Sequence, residues 1–251
     1  MLSKSQISFI KSLHQKKYRK ESGLFLVEGM KSITEFLNSQ YSVQSIYCLA
    51  DYIPKLPKLS QKQKVFEVSE QDLTKISTLK TPQEALAILE IPQEASFNEL
   101  KADNEIIFVL DGVQDPGNLG TIIRTLDWFG FDKIICSQDT VEVYNPKVVQ
   151  ATMGSLARVK VAYTDLKQLL SKEKLPVYGT LLNGKNIFEV KWPSSGYVIL
   201  GSEGNGISKE IKALVTEAVT IPGAGHTESL NVAISTAICC TEIKRINYIK
   251  N

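Results

Sequence analysis

Three short runs in this 251-residue chain set an amide, a carboxylate or a guanidinium beside glycines, as a site for a nucleoside-like ligand requires. The first is Asp111-Gly112-Val113-Gln114-Asp115-Pro116-Gly117-Asn118-Leu119-Gly120, which leads into a helical pattern. Glycines allow close backbone approach to a ligand, and free amides at a helix start favour an anion. Arg124 lies one to two turns into that helix, where a side chain leans back toward the N-terminal turn. Asn118 and Arg124 are therefore candidates for one site, although Asp115 or Asn118 capping the helix and Arg124 pairing with Asp127 would also explain them. The second run is Gly201-Ser202-Glu203-Gly204-Asn205-Gly206-Ile207-Ser208. It is neither a dinucleotide fingerprint nor a Walker loop. Its backbone suits a nucleoside, and Glu203 is either part of that site or serves an ion pair or a cap for a helix starting near Ser208. The third, Ile221-Pro222-Gly223-Ala224-Gly225-His226-Thr227-Glu228-Ser229-Leu230-Asn231, enters an apolar helix that Ser229 is placed to cap. His226 reads as a rim residue rather than a base.

These runs need a scaffold, and the hydrophobic pattern supplies one. Strand-like segments fall at 106–110, 133–136, 157–162, 177–182, 198–201 and 218–221, with helical segments at 118–129, 146–153, 165–172, 208–216 and 229–248. Short apolar strands alternating with helices imply an α/β fold with a mostly parallel sheet covered on both faces. Ligands in such sheets bind beyond the carboxyl ends of strands, where all three runs lie. An earlier block, set off by a polar stretch at 93–104, reads as helix 5–14, strand 24–27, helix 30–38, strands 43–49 and 65–68, helix 70–77 and strand 85–91. That alternation is also α/β or α+β.

Composition narrows the setting. The chain is 43% hydrophobic and 22% charged, as globular domains are. No apolar run nears the ~20 residues that span a bilayer, and the N-terminus lacks a secretory pattern, so no membrane and a cytoplasmic location are expected. Cys48, Cys136, Cys239 and Cys240 have no CxxC spacing and read as buried thiols. With only His14 and His226 in the chain, no metal is expected. The net charge of +2 is small, but residues 1–20 carry Lys4, Lys11, Lys16, Lys17, Arg19 and Lys20 without an acid, a patch able to meet phosphates.

In this order, the three runs resemble the motifs of the SpoU (TrmH-like) branch of the SPOUT RNA methyltransferases. Asn118-x-Gly120-x-x-x-Arg124 with Phe129-Gly130 resembles the first motif, Gly201-Ser202-Glu203-Gly204-x-Gly206-Ile207 the second, and Ile221-Pro222 with Gly225-x-x-x-Ser229-Leu230-Asn231 the third. Asn145-Pro146-Lys147-Val148-Val149 and Met153-Gly154-Ser155-Leu156 resemble the intervening helix. Tyr18-Arg19 through Phe25 to Glu28-Gly29, with Thr81-Pro82-Gln83, resemble an L30e-like substrate-binding domain. Glu84 and Gln150 depart from the family pattern in positions that bear on RNA contacts, as do Leu126 and Gly223 elsewhere.

The resemblance implies two domains, 1–98 L30e-like and 99–251 catalytic, the second with a deep trefoil knot that general topology rules would not suggest. It implies a homodimer with shared active sites and S-adenosylmethionine as cofactor. The cofactor would lie against Thr180, Leu181, Leu182, Leu200, Gly201, Glu203, Gly204, Ile221, Pro222 and Leu230. The expected reaction is methylation of a ribose 2′-hydroxyl in RNA, with ribosomal RNA, and the large subunit within it, favoured over transfer RNA. Catalytic roles would fall to Arg124, Asn118, Glu203, Ser229 and Asn231, and RNA backbone would meet Lys16, Lys17, Arg19 and Lys20. Family proposals cast the arginine as general base. A guanidinium is a poor proton acceptor, so we read Arg124 as placing the phosphate beside the target ribose and stabilising alkoxide charge. The competing readings are a non-catalytic RNA-binding or ribosome-assembly protein and a nucleotide-dependent oxidoreductase; the lack of GxGxxG after 106–110 counts against the second.

Overall fold

A computed structural model describes residues 2–60, 63–93 and 101–249, with side chains described as far as Arg245. The polar stretch 93–104 is thus described only in part. By contacts the chain forms two compact units, residues 1–93 with 142–158, and residues 94–141 with 159–251.

The first unit contains α1 (Lys4–Ser12), α2 (Lys16–Ser22), β1 (Leu24–Glu28), α3 (Met30–Leu37), β2 (Val43–Cys48), β3 (Lys64–Glu67), α4 (Glu70–Ile76) and β4 (Ala85–Glu90). Its sheet has the order β1-β4-β2-β3, antiparallel except for the parallel β2–β3 pair. Every residue of β1 is buried although the strand lies at an edge. Alternation explains this. Leu24 and Leu26 join a core with Ile10, Leu13, Ile76 and Ile88, while Phe25 packs on Phe36 and, at 4.7 Å between centroids, on Tyr144. Glu28 is buried and accepts hydrogen bonds from Ser77 and from the Thr78 amide and hydroxyl, fixing the loop after α4.

Residues 142–158 therefore pack with the first unit, although in sequence they lie between strands of the second. They include α6 (Pro146–Thr152) and a 3-10 turn at Ser155–Ala157. The expected strand 157–162 begins later, at Lys160, because Met153 (φ 52°) and Gly154 (φ 93°) turn the chain into that 3-10 segment.

The second unit contains β5 (Ile106–Asp111), α5 (Pro116–Trp128), β6 (Lys133–Ser137), β7 (Lys160–Thr164), α7 (Leu166–Leu170), β8 (Val177–Asn186), β9 (Gly196–Gly201), α8 (Lys209–Lys212), β10 (Glu217–Thr220) and α9 (Val232–Ile249). Its six strands are all parallel, in the order β10-β8-β9-β5-β6-β7. The apolar run Ile-Ile-Phe-Val-Leu of β5 is buried throughout, as an interior strand covered on both faces must be. Ile107, Val109, Ile135, Tyr197 and Ile199 form the core on one face.

Strand β8 breaks the regular ladder. Its partner register on β10 jumps from Gly179 opposite Ala218 to Lys185 opposite Val219, so residues 180–184 bulge without a partner in that ladder. At the return point a Cβ on Gly184 would lie 2.6–2.7 Å from the Ala218 backbone, which leaves room for glycine alone. No described helix is long and apolar enough to cross a membrane.

Candidate active site

The three polar loops follow β5, β9 and β10, at the carboxyl end of the sheet. Asp115 caps α5, its carboxylate accepting the Asn118 amide at 2.8 Å. Such a cap contributes about 1 kcal/mol and leaves the Asn118 side chain free for other partners. That side chain joins all three loops. Its amide nitrogen donates to the Glu203 carboxylate, and its oxygen accepts from Asn231 Nδ2 at 3.0 Å. Asn231 uses its own oxygen to accept the Ala233 and Ile234 amides at 2.9 and 3.4 Å, so it caps α9 in place of Ser229. Glu203 is likewise not the cap of α8, which begins at Lys209 without a side-chain cap.

The second loop is a closed hairpin. Ser202 and Gly206 exchange backbone hydrogen bonds of 3.1 and 2.9 Å, leaving Glu203, Gly204 and Asn205 at an exposed tip. A Cβ on Gly201 would overlap the Gly206 and Ile207 backbone, so the hairpin can close only over glycine. Asp111, buried at the end of β5, accepts the Ser208 amide at 2.7 Å and latches the hairpin's exit. Gly112 donates its amide to Ser137 Oγ at 2.9 Å, and Ser137 also donates to Asp139, which anchors the start of the first loop. Sequence reasoning missed the Asp111 latch, whose only signal was an acid ending an apolar strand.

Arg124 and Ser229 are exposed and make no hydrogen bond or ion pair among the described residues, so Arg124 does not pair with Asp127. The exposed guanidinium leaves its donors open to an anionic ligand.

The residues expected to hold the cofactor fall in two sets. Thr180 begins the excursion of β8, its hydroxyl donating to the Ile199 carbonyl at 2.9 Å, and the Leu182 carbonyl accepts from Thr220 Oγ1 at 3.1 Å. Leu181, Leu200, Gly201, Glu203 and Gly204 continue this set along the neighbouring loop ends. Ile221, Pro222 and Leu230 line an apolar groove of about 520 Å³ with Phe188, Ile234 and Ile238. That volume lies within the range of small-ligand sites. Leu182, Phe188, Leu230 and Ile234 are 73%, 54%, 47% and 52% exposed, an apolar patch that asks for a cover. A cofactor with a flat apolar base and a polar tail fits this combination of groove and open backbone groups. Phe188 and Ile234 were not singled out from sequence, since nothing local marks an apolar residue as exposed.

The basic N-terminal patch needs a correction. Lys16, Lys17 and Lys20 are exposed, but Arg19 is 2% exposed and points inward. Its guanidinium donates to the Leu13 carbonyl at 2.9 Å and pairs with Glu142. A buried cation so engaged is unavailable to RNA, and its role is structural. In the same unit Lys31 and Lys55 line a second cleft, with Lys55 Nζ 3.9 Å above the Tyr52 ring.

All four cysteines are free and buried. Burial pushes the Cys239 thiol up to about 12 and raises that of Cys136, so both stay protonated and unreactive. Among the described residues no group of three or more His, Cys, Asp or Glu could hold a metal ion.

Comparison with known proteins agrees with this geometry. The model of the SpoU rRNA Methylase family matches residues 105–241, and that of the MRM3-like substrate binding domain matches residues 4–87. The 23S rRNA (guanosine(2553)-2′-O)-methyltransferase RlmP of Bacillus subtilis is 33% identical over 233 residues, 91% of each chain. A TrmH-family protein from Porphyromonas gingivalis has a TM-score of 0.89 at 39% identity, covering 98% of this chain and 99% of its own. An AdoMet-bound rRNA methyltransferase from Sinorhizobium meliloti has a TM-score of 0.88 at 29% identity, covering 98% and 96%. With more than half its length in the family match and a full-length relative at one-third identity, this chain belongs to the SpoU rRNA methylase family.

Proposed function

We propose that this protein transfers the methyl group of S-adenosylmethionine to a ribose 2′-hydroxyl of large-subunit ribosomal RNA. The observation that carries the reading is the Glu203–Asn118–Asn231 chain of hydrogen bonds, which draws the three family loops into one site. The cofactor supplies an electrophilic methyl on a positively charged sulfur. The protein's task is to bring the hydroxyl into line, exclude water and stabilise charge as the oxygen attacks. Asn118 fixes the Glu203 carboxylate and the start of α9, while Arg124 meets the phosphate beside the target ribose and stabilises the developing alkoxide. Ser229, at the exposed end of the third loop, is placed to orient the ribose or the cofactor. The relative from Bacillus subtilis, a 23S rRNA 2′-O-methyltransferase matched along 91% of its length, supports ribosomal over transfer RNA.

The N-terminal block, residues 1–98, is the RNA-holding part together with the segment 142–158 that packs with it, and exposed Lys16, Lys17 and Lys20 meet the backbone. Residues 99–251 form the catalytic part, with the trefoil knot of the family. The protein works as a cytoplasmic homodimer. The exposed apolar patch of Phe188, Leu230 and Ile234 supports a second copy as part of its cover. The experiment is a map of 2′-O-methylation in total RNA from cells with and without the protein. We expect one ribose in large-subunit rRNA to lose its methyl group; an unchanged rRNA map, or a lost mark in transfer RNA, would refute the assignment.

A further inference from the structure

Trp128 is 83% exposed, the highest value among the described large hydrophobic residues. Tryptophan is ordinarily well buried on average, so an indole left open on a helix marks a contact made with something else. Helix α5 buries Leu119, Ile122, Ile123 and Leu126 and exposes Gly117, Thr121, Arg124 and Trp128. Steps of four, three and four place those exposed residues on one stripe. Arg124 and Trp128 are neighbours on it, about 6 Å apart along the axis. The stripe has no aliphatic side chain, unlike the groove of Phe188, Ile221, Leu230 and Ile234. A cation beside a bare aromatic face is the chemistry of unpaired nucleic acid, in which phosphate meets the cation and a base stacks on the ring.

We propose that Trp128 is an RNA-contacting residue, its indole stacking on an unpaired base next to the target nucleotide while Arg124 holds the intervening phosphate. This rests on the reading of Arg124 as the group that meets the substrate. It assigns Trp128 a part in recognition and not in chemistry, and it requires the target to lie in an unpaired segment.

The chain has two tryptophans, and Trp192 is partly buried against Tyr178 with ring centroids 4.7 Å apart. Trp192→Phe in the full chain therefore leaves Trp128 as the only indole emitter. Titration with single-stranded oligoadenylate should quench its fluorescence saturably, and an RNA duplex should not. Trp128→Ala should raise the KM for rRNA about tenfold with the affinity for S-adenosylmethionine unchanged. Its salt dependence should keep the original slope, because an indole neutralises no phosphate. Trp128→Phe should recover most of the loss. Unquenched emission in a protein that still methylates rRNA would overturn the inference and leave the enzymatic reading standing. An emission shift that follows protein concentration without RNA, with altered sedimentation of Trp128→Ala, would also overturn it by assigning the residue to a contact between copies. Absence of methyl transfer by the unaltered chain would instead overturn the enzymatic reading.

Discussion

Asn118 does with one amide what no carboxylate can do, donating to Glu203 while accepting from Asn231. The two demands fix the orientation of the side chain. Asn118→Asp sets a second carboxylate against Glu203 and removes the donor, whereas Asn118→Ser removes both contacts without adding repulsion. With one to two hydrogen bonds to a charged group lost, we expect S-adenosylmethionine to bind about 10–100-fold more weakly in the Asp variant and less so in the Ser variant. Titration calorimetry checks this, and equal, unaltered affinities in both would remove Asn118 from the organisation of the site. Asn118, Glu203 and Asn231 are legible in the sequence because polar groups beside glycines at strand ends have few other uses. The Asp111–Ser208 latch is not legible, since it depends on two strands 97 positions apart lying side by side. Arg19 shows the opposite failure. Its charge is visible in the sequence, but its inward direction is set by Glu142, 123 positions away.

At the scale of elements, most strands and helices follow from apolar periodicity with bounds within two residues, but α2 (Lys16–Ser22) is not among those expected, and α9 starts at Val232 rather than 229. The exceptions have local causes. The turn at Met153-Gly154 delays β7, and the helix expected over 208–216 shortens to Lys209–Lys212. Only the pairing of β8 with both β9 and β10 reveals that residues 180–184 bulge without partners in either ladder. The residues proposed to hold the cofactor lie along the β8 bulge and the neighbouring loops, whose close backbone approaches admit only glycine at Gly184 and Gly201. Gly201→Ala forces its Cβ into the Gly206–Ile207 backbone. We expect a loss of about 1–3 kcal/mol in stability and a larger proportional loss of cofactor binding, read by thermal unfolding and equilibrium dialysis. Unchanged values for both would mean that the hairpin is not closed in the way described.

At the scale of the whole molecule, two blocks and an α/β class are readable from the alternation of segments, and the family from the order of three motifs. What escapes sequence reading is that residues 142–158 pack with the first unit, through Glu142 on Arg19, Tyr144 on Phe25 and Arg158 on Glu35. No single boundary near residue 98 describes that arrangement, because contacts made by a returning segment leave no mark on its own periodicity. The family match over residues 105–241 nevertheless spans all three glycine-bearing loops. In the function proposed, these loops form a ribose methyltransferase site in which Arg124 acts on the RNA and not on the cofactor. The most direct test is to incubate purified protein with methyl-labelled S-adenosylmethionine and unmodified 23S rRNA, digest the RNA to nucleosides and identify the labelled product. The expected result is a 2′-O-methylnucleoside with the unaltered chain and none with Arg124→Ala, whose cofactor affinity stays intact. Label on a base, or full transfer by Arg124→Ala, would contradict the account.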